Sequence, residues 1–348
     1  MKTKTTKLLL ALGAALALGS GAVQARDLSV VSWGGAYQDA QKEVYFKPFI
    51  EKTKVKMVDE SWDGGIGVLR AKMQGGANNW DVVQVESEEL ALGCEEGLFE
   101  KVDWAKLGGK DKFLKDAVSD CGVGAIVYNF VLAYDGDKFK DGPKSWKDFW
   151  DVKKFPGKRA LRKGPKTNLE IALLADGVAP ADVYKTLATP AGVDRAFNKL
   201  SQLKPSLIWW EKGSQPPQML ASGEAVMVSA YNGRIAAANK TDKKNFRMSW
   251  NGSLYTVDSW VIMKGSPNKA QAEQFLAFAS DPANQKNLPT QIPYGVTHNA
   301  ATALVDKAVL PDLPTNPANL KVSLYLSDKF WLENLDKLNQ RFNAWLAK

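Results

Sequence analysis

The sequence predicts an α/β fold of two lobes, each built from a mostly parallel sheet that helices cover. Short apolar strands alternate with helices along the chain, which is typical of parallel sheets wound with helices. About 323 of the 348 residues remain after a predicted leader, enough for two lobes. Two long apolar segments, residues 124–134 and 253–263, are suited to pass from one lobe to the other. Two such crossing strands indicate a hinge.

The leader is predicted from the first 25 residues. Three lysines precede an apolar run from Leu8 to Leu18, and small residues then lead to Val23, Gln24 and Ala25. This order of basic, apolar and small residues is typical of a cleavable export signal. The apolar run is shorter than the ~20 residues of a membrane-spanning helix. We therefore expect cleavage near Ala25 and export of the mature chain.

The first lobe begins with a unit of strand, glycine turn and helix that then repeats. Strands are predicted at residues 28–33, 55–58 and 81–85, with helices after residue 36 and at residues 66–73. Ligands of such sheets bind beyond the carboxyl ends of the strands. The residues expected at that edge are Trp33, Gly34, Tyr37, Glu86 and Ser87.

The second lobe follows the first crossing and continues the alternation. Helices are predicted at residues 146–150, 168–175, 180–187, 190–203, 217–222 and 233–239, and strands near 159–161, 207–210 and 225–230. A helix near the C terminus has aromatic residues spaced to cover one face of a lobe. We assign residues 26–132 and about 260–300 to lobe 1, and residues 133–259 and about 301–348 to lobe 2.

The composition argues against several classes of function. The formal charge of +8 falls to +5 without the leader, and no arginine-rich block indicates nucleic-acid binding. A single histidine, His298, and two cysteines give no zinc pattern, so we expect no metal. Cys94 and Cys121 favour one disulfide in an oxidising compartment, with two separate buried thiols as the alternative.

Aromatic and acidic residues are better candidates for a binding site than for catalysis. The sequence contains no nucleophile elbow, P-loop or dinucleotide fingerprint. Trp33 and Trp260 lie near predicted strand or turn ends, where indole rings can attract cations, although core packing is the other reading. Glu86, Glu170 and Asp258 can hold an ammonium group. This combination indicates a site for amines.

Asp258 and Arg234 admit two readings. Asp258 lies within an apolar strand, where an unpaired charge is costly, so it needs a partner. That partner is either a neighbouring cation or amide of the protein, or a ligand ammonium. Arg234 follows a predicted strand and either pairs with Asp258 or holds a ligand carboxylate.

Four motifs together resemble a known family. They are Ser32-Trp33-Gly34-Gly35-Ala36-Tyr37, Trp80-Asp81-Val82-Val83, Ala230-Tyr231-Asn232-Gly233-Arg234 and Val257-Asp258-Ser259-Trp260. In this order and spacing, the chain resembles the periplasmic solute-binding proteins of ABC importers, specifically the spermidine/putrescine-binding group. The resemblance covers nearly the whole mature chain. It implies a periplasmic protein with a type II binding fold, which closes on a ligand and docks to a membrane permease.

The resemblance also implies roles for individual residues. Trp33 and Tyr37 match the aromatic pair of the first turn, and Asp258 matches the acid before the return crossing. Tyr231 stands where the family usually has tryptophan, and Tyr294 matches a late aromatic residue.

Other positions depart from the family pattern. Glu86 falls where serine or tyrosine is usual, Glu170 alone remains of a second acidic cluster, and Arg234 is added near the cleft. An arginine that faces the cleft would favour a zwitterion, such as the ω-amino acid 4-aminobutyrate, or a monoamine. An arginine that pairs outward would leave diamines such as putrescine possible.

The sequence therefore predicts a monomeric substrate-binding subunit of an ABC importer for a small aliphatic amine, either a polyamine or an ω-amino acid. We expect no cofactor, no nucleic-acid partner and no catalytic activity. The alternative is a secreted hydrolase that uses the carboxylates of Glu86 and Glu170.

Overall fold

The computed structural model describes residues 26–74 and 78–348, so the predicted export signal lies outside the described residues. Parallel and antiparallel strands alternate with helices along the chain. The strands are β1 (Leu28–Ser32), β2 (Met57–Ser61), β3 (Val82–Val85), β4 (Gly122–Asp135), β5 (Arg159–Arg162), β6 (Leu207–Trp210), β7 (Met227–Tyr231), β8 (Phe246–Ile262) and β9 (Leu324–Tyr325).

The helices cover both halves of the sheet. They are α1 (Gly35–Gln41), α2 (Lys47–Thr53), α3 (Ile66–Gln74), α4 (Ser87–Glu95), α5 (Trp146–Trp150), α6 (Asn168–Ala175), α7 (Val183–Leu187), α8 (Pro190–Leu203), α9 (Gln215–Ser222), α10 (Asn232–Thr241), α11 (Lys269–Ser280), α12 (Pro282–Gln285), α13 (Leu288–Gln291), α14 (Asn299–Leu304), α15 (Pro317–Val322) and α16 (Asp328–Leu346). A π-helical segment, Lys42–Phe46, joins α1 to α2, and short 3₁₀ turns occur in several connections.

The sheet consists of two parallel halves joined by two long strands. Its order is β2-β1-β3-β8-β4-β7-β5-β6, with β9 beside β8. Strands β2, β1 and β3 are parallel to each other, as are β7, β5 and β6. Between them, β8 pairs antiparallel with β3 and β4, and β4 pairs antiparallel with β7. The predicted α/β fold with two crossing strands is confirmed, while the predicted lobe boundaries stay a prediction.

The sequence predicted the bounds of crossing strand β4 better than those of crossing strand β8. Strand β4 is buried along almost its whole length, and its apolar run predicted it to within two residues at the start. Strand β8 begins at Phe246, seven residues before the predicted start. Its first part, after the buried Phe246, contains polar and partly exposed residues. The early part of β8 pairs with the end of β4, from Leu132 to Asp135.

A disulfide between Cys94 and Cys121 confirms the predicted pairing. It joins the last turn of α4 to the residue before β4, across a Cα separation of 5.6 Å. The first turn of α4 lies beside Glu86, so the cross-link anchors a helix that borders the site. Among the residues that the structure describes, no helix is long and apolar enough to span a bilayer.

Candidate functional site

A cavity lies between the two halves of the molecule, beyond the carboxyl ends of β1 and β3. Its position agrees with the rule that ligands of wound parallel sheets bind at strand ends. Seven of the ten predicted site residues line it: Trp33, Tyr37, Glu86, Tyr231, Arg234, Asp258 and Tyr294. The remaining lining residues are Trp62, Asp63, Ile126, Tyr128, Arg162, Glu211, Lys212 and Gly213.

The turn after β1 brings the two halves into contact. Gly34 and Gly35 have φ angles of 60° and 54°, a region that favours glycine. A Cβ atom on Gly35 would lie 2.8 Å from Nη1 of Arg234. The guanidinium of Arg234, on α10, donates to the carbonyl oxygens of Gly34 and Trp33 at 2.8 and 3.0 Å. The positive φ angles and this close approach both favour glycine where Arg234 contacts the turn.

Aromatic rings form much of the cavity wall. Trp33 stacks on Trp62 with ring centroids 5.2 Å apart. Tyr294 meets Tyr37 edge to face at 5.1 Å, and a further tyrosine pair, Tyr128 and Tyr231, packs at 5.4 Å. Burial raises the pKa of each of these four tyrosines, which therefore stay neutral. Such a wall suits an aliphatic chain with a cationic end.

Asp258 is a buried carboxylate with few partners. It is 4% exposed, and its Oδ2 accepts one long hydrogen bond, at 3.4 Å from Nε2 of Gln84. Its Oδ1 is buried and has no hydrogen-bond partner within the described part of the chain. Burial, followed by the negative charges of Glu86 and Glu89, raises the pKa of Asp258 well above its usual value. A positively charged group beside Oδ1 would lower that pKa again.

Glu86 is buried in the same cavity wall but is held by cations. Its Oε1 accepts from Nη1 of Arg162 at 2.8 Å, and its Oε2 accepts from Nζ of Lys166 at 3.1 Å. Lys166 also donates to Glu88. We call Glu86, Glu88, Arg162 and Lys166 the Glu86 cluster. Burial alone would raise the pKa of Glu86, but Arg162 and Lys166 lower it to about 2.

Several hydrogen-bond donors also face the cavity. The Nε atom of Arg234 and the indole Nε1 of Trp33 are buried and have no partner among the described residues. The hydroxyl of Tyr128 is in the same situation. The cavity therefore combines an unpartnered acceptor, Asp258 Oδ1, with unpartnered donors. This combination is complementary to a small molecule with an ammonium group and a carboxylate.

Three predicted site residues lie outside the cavity lining. Trp260 is 1% exposed and packs on Phe275, because it lies two residues beyond Asp258 where α11 covers the sheet. Glu170 is fully buried on α6, and its Oε1 accepts from Tyr184 at 2.9 Å and Trp331 at 2.6 Å. Ser87 begins α4, where its hydroxyl lies 3.4 Å from Glu88.

The sequence analysis missed several residues that line the cavity. Arg162 ends β5, so the strand-end rule that selected Trp33 would also have selected it. Tyr128 lies within β4, where it was read as part of an apolar strand. Asp63 and Lys212 pair at 3.2 Å at the mouth of the cleft, from opposite halves of the molecule. No sequence signal connects residues so far apart.

The structure gives no support to a hydrolase that uses Glu86 and Glu170. Glu86 lines the cavity with both carboxylate oxygens bound to cations, whereas Glu170 is bound to Tyr184 and Trp331 elsewhere. The two carboxylates therefore do not form an acid-base pair. Within residues 26–74 and 78–348, no group of three or more metal-ligating side chains is suited to a metal ion.

Comparisons with known proteins agree with this geometry. The profile of the bacterial extracellular solute-binding protein family matches residues 45–318. The gamma-aminobutyric acid-binding protein of Pseudomonas aeruginosa is 51% identical over 325 residues, which cover 93% of this chain and 92% of that protein. The putrescine-binding periplasmic protein SpuD of Pseudomonas aeruginosa is 27% identical over 84% of this chain and 85% of its own. The solved structure of the Atu4243 GABA receptor has a TM-score of 0.81 and 34% identity, covering 92% of this chain and 98% of that one.

Proposed function

Because this chain belongs to the bacterial extracellular solute-binding proteins, we propose that it captures a zwitterionic ω-amino acid, with 4-aminobutyrate as the leading candidate. After capture, it would deliver the ligand to the permease of an ABC importer. The observation that carries this proposal is that one cavity is lined by Asp258 and Arg234, whose Oδ1 and Nε atoms have no hydrogen-bond partner within residues 26–74 and 78–348. The first would accept from the ligand ammonium, and the second would donate to the ligand carboxylate.

The charges around the cavity favour a zwitterion over a dication. In the Glu86 cluster, two carboxylates face two cations. Burial raises the pKa of the neighbouring Glu89 to about 8, so that side chain is mostly neutral at pH 7. Among the buried groups of the cavity wall, two remain: Asp258, whose raised pKa falls so that its carboxyl group ionises when a ligand cation lies beside it, and the guanidinium of Arg234. A zwitterion satisfies both, whereas a diamine would place its second ammonium near a guanidinium.

The magnitude of that repulsion is large enough to decide between ligands. Two like charges ~4 Å apart repel by about 4 kcal/mol at an effective dielectric constant of ~20. This corresponds to a difference in affinity of about three orders of magnitude. The aromatic wall would contact the methylene groups of either ligand and does not discriminate between them. The relatives named for gamma-aminobutyric acid point to the same ligand class.

The cellular setting follows from the family and the leader. We propose that the leader of residues 1–25 directs the chain to the periplasm and is cleaved near Ala25. There the protein would act as a monomer, bind its ligand without chemical change and require no cofactor. Incubation with 4-aminobutyrate should return the ligand intact, which chromatography of the released ligand would check.

Isothermal titration with 4-aminobutyrate and two half-ligands tests the proposed ligand class. Butylamine retains only the ammonium and butyrate only the carboxylate. We expect 4-aminobutyrate to bind at least about tenfold more tightly than either, because a hydrogen bond to a charged group contributes ~1.5–3 kcal/mol. Butylamine binding as tightly as 4-aminobutyrate would contradict a carboxylate subsite. No binding of 4-aminobutyrate would reject the proposed ligand.

A further inference from the structure

Two buried carboxylates, Asp258 and Glu86, line the cavity, as a site for a diamine would require. Oδ1 of Asp258 has no hydrogen-bond partner among the described residues, but both oxygens of Glu86 accept from protein cations. One of these cations, Lys166, does not line the ligand cavity. It lines an adjoining pocket, which shares Asp63, Glu86 and Arg162 with the first. Lys166 therefore binds Glu86 from the adjoining pocket and does not itself contact the ligand cavity.

We propose that Lys166 is a positioning residue that sets ligand specificity, because its ammonium binds Glu86 and so excludes a ligand with a second ammonium. This inference rests on the proposed function and names a residue that controls it. The ammonium group of Lys166 occupies the place beside Glu86 that the second ammonium of a diamine would take. A diamine would have to displace it, whereas an ω-amino acid would leave it in place.

The contacts of Lys166 are those of a permanent partner. Its side chain is 8% exposed, and its Nζ donates to Oε2 of Glu86 at 3.1 Å and to Glu88. Burial alone would lower the pKa of Lys166, but these two carboxylates raise it, so the side chain stays charged. Removing one member of a buried charge pair leaves the other uncompensated, which is strongly unfavourable. A diamine therefore gains little at Glu86 while Lys166 is present.

The segment that carries Lys166 is held in a fixed shape. Thr167 is buried and has a φ of 72°, which is rare for a β-branched residue. The side-chain amide of Asn168 donates to the carbonyl oxygens of Arg162 and Gly164, at 2.5 and 2.7 Å. These contacts close the connection between β5 and α6. A fixed backbone at Thr167 and Asn168 holds the main chain of Lys166 in the position from which Nζ reaches Glu86.

Exchange of Lys166 tests the inference through the ratio of two affinities. We would titrate wild type, Lys166→Met and Lys166→Arg with putrescine and with 4-aminobutyrate. We expect Lys166→Met to raise the affinity for putrescine relative to 4-aminobutyrate by at least about tenfold, or ~1.4 kcal/mol. Lys166→Arg keeps the charge and should keep the wild-type ratio. Lys185→Met is the matched control, because it removes an equal charge from an exposed pair with Asp182.

A purely structural role would lower both affinities together and leave their ratio unchanged, which would overturn the inference. Glu88→Gln provides a second variant in case Lys166→Met does not fold. It removes the other partner of Lys166, strengthens the hold of Lys166 on Glu86, and should lower the putrescine-to-4-aminobutyrate ratio below that of wild type. An unchanged or higher ratio would contradict the inference.

The titrations distinguish a failure of the proposed function from a failure of the proposed role of Lys166. If wild type binds 4-aminobutyrate and neither variant moves the ratio, only the role of Lys166 is wrong. If wild type does not bind 4-aminobutyrate, the proposed function is wrong, and the role of Lys166 is rejected with it.

Discussion

Asp258 and Glu86 are both buried carboxylates in one cavity wall, yet their environments are opposite. Asp258 is 4% exposed and Glu86 5% exposed. Burial and nearby negative charge raise the pKa of Asp258, whereas Arg162 and Lys166 overcome burial and lower the pKa of Glu86 to about 2. The number of cations within reach, and not the degree of burial, separates the two groups.

The difference teaches which acid is available to a ligand. A carboxylate that already has two cationic partners, as Glu86 does, stabilises the contact between the two halves of the molecule. A carboxylate without such a partner loses solvation in the fold and can recover that loss only when a ligand cation arrives. We therefore assign Asp258 to ligand binding and Glu86 to the joining of the two halves. This assignment predicts different outcomes when each carboxylate is removed.

The largest expected effect is on ligand affinity in Asp258→Asn. Loss of one partner of a buried charge pair costs ~2–5 kcal/mol, so the affinity for 4-aminobutyrate should fall at least about 30-fold. Isothermal titration would measure it. Asp63→Asn is a control at the mouth of the cleft, where the side chain is 60% exposed and pairs with Lys212. Equal losses of affinity in the two variants would contradict a special role for Asp258.

The next effect is on stability in Glu86→Gln. The exchange leaves Arg162 without its carboxylate in a buried setting, which should lower the free energy of unfolding by ~3 kcal/mol. Asp258→Asn should not destabilise the ligand-free protein, because Oδ1 of Asp258 has no partner to lose within the described chain. Urea unfolding at pH 7 without ligand would measure both. An equal loss of stability in Asp258→Asn and Glu86→Gln would contradict the contrast between these two carboxylates.

A smaller effect concerns the pH dependence of stability. The pKa of Glu86 is lowered from 4.5 to about 2, so its contribution is present above pH 4.5 and is lost as the pH falls toward 2. The pKa of Asp258 is raised, so its contribution has the opposite sign and decreases as the pH rises above 3.8. Between pH 2 and 4.5, stability should rise with pH less steeply in Glu86→Gln than in wild type. Unfolding free energies across this range would check it, and identical slopes would contradict the assignment.

Local sequence patterns predicted much of the fold. Helices α5, α6 and α8 and strand β6 have the bounds that their residues predicted. These segments are short, clearly apolar or amphipathic, and bounded by proline, glycine or polar residues. The disulfide followed from cysteine count and compartment. The first part of β8 was missed because its polar, half-exposed residues carry no apolar signal.

The sequence predicted the site residues that follow strand ends, but it did not predict the ion pairs that cross the cleft. Trp33, Tyr37 and Asp258 follow from strand ends, a glycine turn and a charge inside an apolar strand. The partners of Glu86 lie 76 and 80 residues away in sequence, at the end of β5 and in the connection that follows it. Pairing across a cleft depends on the tertiary fold. Sequence alone therefore predicted that Glu86 borders the site but not that it is already paired.

The most direct test of the central claim is a carboxyl ¹³C NMR titration of Asp258 and Glu86, with and without saturating 4-aminobutyrate. Asp258→Asn and Glu86→Gln would assign the two resonances. We predict that ligand binding lowers the pKa of Asp258, because an ammonium then stabilises its charged form. The pKa of Glu86 should stay low in both states. A ligand-induced change at Glu86, with Asp258 unchanged, would contradict the account.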